Sequence, residues 1–543
     1  MSVLGNDKHW LAQSERGVVL LLLVLLLALH LILMMHAGGL WRDETNTVRV
    51  ANLPGLGETW KNLQYDSFPM LWFLVVRAWT AVGGGGDASY RLLGFLIGTG
   101  IVGGLLWNAR RLRVSAPLIS LLLAFNPALI RYGDSMRAYG FGIVLFLVTF
   151  GLVWKVTLLP TRRNMIGATI AAVLSVQALY YNAVLLLALC AGGAAVAMRH
   201  KQWARIGLLF CVGMVAAISL LPYASTISDA AGWNNLVRVP QYDLLWFWRN
   251  PSDTIGSSGD NMMAVWTGLF CIGTAVGIGA QIRPQWLRAT PEQKDFGLFC
   301  VTALLVGLLA YFVFLKILSY PTQPWYFLAL LALVAITLEG LFSLLANLQA
   351  GRVLRLLVVL LAVVLTFRAT AEQAHQRYSS VDLIATRLQK EAAKEDFILV
   401  NHWYIGIPFD YYYKGATPWM TLPPISDHNA HRYDLVKEQM MLSGPAEAVQ
   451  PVLEHMAATL KAGHRVWMVG VATFPRPGET PRVAQYRLDR SSLLDHYEAW
   501  SQHVGQFIQR HATDIEVVAV PAGGPVSDYE SARLFRVEGW RGE

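Results

Sequence analysis

The sequence predicts a mostly α-helical, polytopic membrane bundle followed by a soluble α/β domain. Three observations predict it. Over 543 residues, hydrophobic types make up 55% and charged types only 15%, where soluble chains carry about a quarter charged residues. Mean hydropathy is +0.41. Apolar stretches near the roughly 20 residues needed to cross a bilayer core recur along the first two-thirds of the chain. Basic residues then cluster in alternate gaps between those stretches, which is the pattern of cytoplasmic loops.

The first stretch, 17–35, follows Lys8 and Arg16. It is longer than the roughly 7–15-residue core of a cleavable signal and lacks a small-residue cleavage site. It is therefore a retained helix with a cytoplasmic N-terminus. The basic clusters are Arg110, Arg111 and Arg113; Lys155, Arg162 and Arg163; Arg199, Lys201 and Arg205; Arg283, Arg288 and Lys294; and Arg352 and Arg355. Placing all of them in the cytoplasm sets further spans near 91–108, 115–131, 139–156, 165–180, 183–198, 206–222, 262–282, 296–318, 325–345 and 356–370, about eleven in all. An odd number puts the tail outside. The apolar segment 69–82 is too short to cross, and Trp72 and Trp79 suit a helix lying in the outer interface. Gly83–Gly86 gives a flexible joint after it.

The expected domains are 1–370, a membrane domain that includes the first outer loop 37–90, and 371–543, a soluble α/β domain outside. In the tail, runs at 397–400, 465–471, 515–520 and 534–537 read as strands. Patterns near 379–395, 446–462 and 492–510 read as helices. The net charge of +8 reflects loop arginines and lysines that set topology, so nucleic acid is not an expected partner. Cys190, Cys211, Cys271 and Cys300 all fall in or beside apolar segments. No disulfide framework or zinc spacing follows, and no motif supports a metal or other cofactor.

Chemistry concentrates on the outer side. Asp43 and Glu44 come directly after the first helix. Adjacent acids favour the first turn of a helix, and a carboxylate fixed at the membrane surface also suits a general base that takes a proton from a hydroxyl. Asp66 precedes Pro69, which is a helix-starting pattern that still leaves the acid at the surface. Arg91 opens the next span. The turn from Arg131 through Asp134 and Arg137 to Tyr139 puts two arginines on the side that the charge rule disfavours. Guanidinium groups at that depth suit a phosphate head-group, and an Asp134–Arg ion pair is the plainer alternative. The outer loops 37–90, 131–139, 180–182, 223–261 and 319–325 can converge on one cavity. In the tail, His402-Trp403-Tyr404 and Tyr411-Tyr412-Tyr413 read first as core, although aromatic faces also stack on sugars.

Together, Asp43-Glu44, Asp66-Ser67-Phe68-Pro69, Arg91, Arg137-x-Tyr139, Tyr180-Tyr181-Asn182 and Pro324-Trp325-Tyr326 resemble the GT-C membrane glycosyltransferases. The likeness is to the group of protein O-mannosyltransferases, lipid A aminoarabinose transferases and rhizobial lipopolysaccharide transferases, and it covers roughly residues 18–345. The resemblance implies a bacterial inner-membrane enzyme with its C-terminal domain in the periplasm. It implies transfer of a sugar from a polyprenyl-phosphate carrier to a glycan, lipid or protein acceptor, with inversion. Asp43 would be the base, with Glu44 and Asp66 as further catalytic acids. Arg91, Arg131, Arg137 and Tyr139 would hold the donor phosphate. Tyr181, Asn182, Gln323, Trp325 and Tyr326 would contact substrate. The group's His-Pro-Pro stretch is replaced: Phe68 stands at the His position and Met70 at the second Pro. No metal role carries over.

A transporter or flippase of a lipid-linked saccharide would also want outward arginines. Such proteins often show repeated halves and broken helices at mid-membrane; the sequence shows no halves and places its charges at one face. A non-catalytic envelope assembly protein is the other alternative, since nothing in the tail excludes it.

Overall fold

The structure is a computed structural model, and it describes residues 3–114, 116–234, 236, 243–244, 247, 260–319, 322–476, 479–486 and 492–542. Much of the expected loop 223–261 and part of 319–325 lie outside the described residues.

Among the described residues, nine helices are long and apolar enough to cross a membrane: Trp10–His36, Asp87–Arg111, Ala138–Leu158, Tyr181–Arg199, Trp203–Ala230, Met262–Ile282, Pro291–Leu318, Pro324–Asn347 and Gln349–Ala374. The other two expected spans differ. Arg162–Ala178 is a helix of only 17 residues. The region 115–131 is not one helix but two seven-residue helices, Leu118–Ala124 and Pro127–Gly133. The break has a local cause. The Asn126 side chain accepts from the Leu129 backbone N–H, and Pro127 occupies the first helical position; both start a new helix. The apolar segment after Pro69 forms the helix Met70–Gly83, too short to span.

The helix Leu328–Ser343 sits at the centre, buried on nearly every side. Inside it, Glu339 accepts from the Ile119 and Ser120 backbone N–H groups at 2.7 and 3.0 Å and pairs with Arg355 at 3.0 Å. Arg355 is fully buried, which corrects its reading as a loop charge. A guanidinium can stay there because Glu339 and Glu15, the latter 3.5 Å away, face it. The basic clusters meet at one end of the bundle. Arg113 approaches Glu292 and Arg199 approaches Asp295, each at 3.7 Å, while Arg205 donates to the Thr157 carbonyl.

The tail folds around a sheet of the strands β1 (Phe397–Asn401), β2 (Trp419–Thr421), β3 (Val466–Gly470), β4 (Ala512–Val518) and β5 (Arg533–Trp540). Their order across the sheet is β2-β1-β3-β5-β4. β1 runs parallel to β2 and β3, and β5 runs antiparallel to β3 and β4. Helices Val381–Glu391, Pro445–Lys461 and Leu493–His511 cover it. The fully buried β1 and β3 explain their unbroken apolar runs, as expected of strands covered on both faces.

This domain is seated on the loop 37–90. Leu40 N donates to the Tyr412 hydroxyl at 2.6 Å, Arg42 N to Glu530 at 2.8 Å, and Tyr65 OH to Asp434 at 3.0 Å. Arg49 donates to the His428 carbonyl at 2.8 Å and pairs with Asp410.

Candidate active site

Asp43 and Glu44 lie in the first turn of the helix Arg42–Ala51, and their side chains have different fates. Glu44 is fully buried. Its two oxygens receive Arg91 Nη1 and Nη2 at 2.7 and 2.9 Å, together with the Met136 and Trp41 backbone N–H groups at 2.8 and 3.2 Å. Arg91 also donates to the Gly38 and Gly39 carbonyls. This bidentate pair joins the first loop, the Asp87–Arg111 helix and the 131–139 turn, and it does not line the cavity.

Asp43 does line it. Its Oδ1 stands 3.4 Å from Arg42 Nε and 3.6 Å from His431 Nε2, looser than hydrogen bonds. Burial pushes its carboxyl up, but the Arg137 guanidinium foremost, with Arg42, outweighs this and holds it below the usual carboxylate range. Asp43 is therefore ionised at neutral pH.

Asp66 is the third acid. It accepts from Asn46 at 3.0 Å, Thr47 at 2.9 Å and Arg137 at 2.8–2.9 Å. Arg137 in turn donates to the Asp43 carbonyl at 3.0 Å and Thr47 at 2.7 Å, while its buried Nε has no partner. Asp43, Asp66 and Arg137 thus share one side of the bundle and one cavity.

The 131–139 turn is held by close backbone approach. Gly94 and Gly98 leave room for it: a Cβ at either would come within 1.9 Å of Asp134. Asp134 pairs with His30 at 2.8 Å, not with an arginine. Arg131 points elsewhere, donating to the Gln376 and Arg377 carbonyls near 3.3 Å with its guanidinium 4.3 Å from the Tyr378 ring. It anchors the start of the C-terminal domain.

The cavity holds about 570 Å³ and is bounded on the bundle side by Arg42, Asp43, Asp66, Arg137, Gln323, Trp325 and Tyr326. Tyr139 and Tyr181 lie behind it, their rings 6.5 and 5.7 Å from that of Tyr326. Asn182 is buried and ties helices together through Gly142 and Ser175. Among the described residues, no group of three His, Cys, Asp or Glu side chains is arranged to hold a metal.

The opposite wall comes from the C-terminal domain, with His402, Tyr404, His431, Tyr433 and Tyr497 among its residues. Sequence reasoning missed His431, Tyr433 and Tyr497, and read His402 and Tyr404 first as core. Of His402-Trp403-Tyr404, only Trp403 is fully buried; its neighbours face the cavity. Alternation about a buried aromatic was the available signal. Arg42 was also missed: it lies 4.3 Å over the Tyr404 ring, beside Asp43.

Burial drives His402, His428 and His431 down to about 4, so each is an uncharged imidazole at neutral pH. Unfolded, they titrate near 6.5 and bind more protons between pH 4 and 6.5, so folding stability rises with pH across that window and is lost as pH drops through it. Burial pushes Glu530 up to about 8, the opposite sense, which trims stability as pH rises from 4.5 to 8. Thermal unfolding of the detergent-solubilised protein is therefore expected to show Tm dropping by several degrees from pH 6.5 to 4, and only gently from 6.5 to 8.

No protein-family model matches this chain, and no curated protein sequence does. The solved structures similar to it include two crystal structures of ArnT from Cupriavidus metallidurans. One is bound to undecaprenyl phosphate and the other is in the apo state. They share 12% and 14% sequence identity with this chain, cover 83% and 84% of it and 93% of their own chains, and have a TM-score of 0.48.

Proposed function

We propose that this chain is a membrane glycosyltransferase that moves a sugar from a polyprenyl-phosphate carrier to an acceptor hydroxyl in the Asp43 cavity, on the periplasmic side of a bacterial inner membrane. The observation that carries this reading is that one cavity holds both an ionised, loosely contacted Asp43 carboxylate and the Arg137 guanidinium, which donates to the Asp43 backbone carbonyl.

The division of labour follows from the contacts. Glu44 and Arg91 satisfy each other and position the loop; they are a strut. Asp66 holds Arg137. Arg137, whose Nε is unpartnered, presents charge to the departing phosphate, helped by Arg42. In one displacement, the acceptor oxygen bonds to the anomeric carbon as the anomeric carbon–phosphate oxygen bond breaks. The bonding pair leaves with the phosphate, and the hydroxyl proton passes to Asp43. A carboxylate with a low pKa is a weak base, so the proton moves late, once bonding to the anomeric carbon has acidified the hydroxyl. The loose contacts of Asp43 leave a lone pair for this.

A transporter is disfavoured by depth: Asp43, Asp66 and Arg137 gather at one end of the bundle, beside the C-terminal domain. Mass spectrometry of lipids and glycans from cells with and without the protein tests the proposal. The expected result is an accumulated polyprenyl-phosphate sugar paired with one missing glycan; unchanged profiles would refute it. Arg137→Gln is expected to lower kcat/KM by about 10²–10³-fold, the usual loss for one donor at a site of developing charge. Steady-state transfer assays check this.

A further inference from the structure

The cavity is chemically two-sided. Its cations among the described residues, Arg42 and Arg137, both belong to the bundle, whereas the C-terminal wall has none among its described lining residues. That wall instead carries Tyr404, Tyr433, Tyr497 and His402, with Glu498 as its charged member.

The aromatic rings are fixed in place. Tyr433 stacks on Trp233, centroids 4.7 Å apart and planes 14° apart, and meets the edge of Trp403 at 5.3 Å. The Tyr497 hydroxyl accepts from Trp403 Nε1 at 2.6 Å. Tyr404 and Tyr433 are half-buried and line the cavity with the rest of their surface. His402 keeps a buried Nδ1 with no hydrogen-bond partner. Rigid aromatic faces with scattered neutral donors and acceptors suit the C–H faces and hydroxyls of a pyranose. Arg42 reaches over this wall, 4.3 Å from the Tyr404 ring, but it faces Asp43 at 3.4 Å; the wall's own charged member, Glu498, opposes an anionic acceptor such as a phosphorylated lipid head-group.

We infer that the C-terminal domain is the acceptor-binding half of the site and that the acceptor is an uncharged saccharide, bound against Tyr404 and Tyr433 with one hydroxyl directed at Asp43. This rests on the transferase reading above and deepens it. The bond formed is then a glycosidic bond to a sugar oxygen, with the proton passing to Asp43 and the electron pair to the carrier phosphate.

The test uses the full-length protein and carrier lipid extracted from ¹⁴C-glucose-grown cells that lack it, incubated with unlabelled envelopes of those cells. Unreacted carrier is first removed by organic-solvent extraction, and the remaining product is separated into protein, lipid and saccharide before and after mild acid treatment. The expected result is label in an acid-stable saccharide. Label on protein, or label released by mild acid as from a glycosyl phosphate, overturns the inference while keeping the transferase reading. Label that never leaves the carrier overturns both. In the same assay Tyr433→Ala is expected to raise the acceptor KM about tenfold with the donor KM unchanged, and Tyr433→Phe to restore it. An equal rise in both KM values would reduce Tyr433 to a structural role and contradict the inference.

Discussion

Replacing Asp43 by Asn is expected to slow sugar transfer by about 10²–10⁴-fold, the range lost when a positioned acid or base is removed, while binding of the carrier-linked sugar is retained. The side chain keeps its shape, so the Arg137 contact to the Asp43 backbone carbonyl survives. What disappears is the proton acceptor and one negative charge. His431 becomes a weaker base in this variant, not a stronger one: burial already lowers its imidazole, and Asp43 is the foremost group opposing that shift. Single-turnover transfer, alongside equilibrium binding of the carrier, separates the two effects. Full activity in this variant would remove Asp43 as base.

Glu44→Gln is expected to cost about 3–5 kcal/mol of stability, because it leaves the Arg91 charge buried without its counter-ion. Arg91 is 5% exposed and Glu44 is 0%, so water does not relieve the loss. Arg91→Leu should do similar damage from the other side. The double replacement Glu44→Gln, Arg91→Leu is expected to lose clearly less than the sum, because removing both charges removes the desolvation penalty as well. Its recovery stays partial, since Glu44 also receives the Trp41 and Met136 N–H groups. Thermal unfolding of the four proteins in one detergent measures this. Activity per folded molecule should change less in these variants than in Asp43→Asn.

Much of the architecture was legible because bilayer physics writes long signals. Span length and alternate basic gaps located the nine long helices and joined Asp43, Asp66 and Arg137 on one side. The 115–131 segment misled because composition hides a helix break; Asn126-Pro127 was the visible clue. Strand β2 has three residues, too few to show a period.

At the site, the sequence named Asp43, Asp66 and Arg137, and the resemblance it carries added Gln323, Trp325 and Tyr326; all of these line the cavity. Glu44, Arg91, Arg131, Tyr139, Tyr181 and Asn182 were named as well, and these do not line it. Spacing shows which charges share a membrane face, but not which of them pair with each other. The C-terminal wall was illegible for a related reason. His431 and Asp43 are far apart in sequence and meet only when the domain docks through Tyr412, Asp434 and Glu530.

Reconstitution in vesicles tests the central claim most directly. The purified protein is supplied with carrier-linked sugar in the membrane and envelope glycan on the side of the C-terminal domain, and the carrier is followed by mass spectrometry. The expected result is free polyprenyl phosphate appearing in step with a glycosylated acceptor, abolished by Asp43→Asn. Carrier that crosses to the opposite leaflet with its sugar still attached would contradict it.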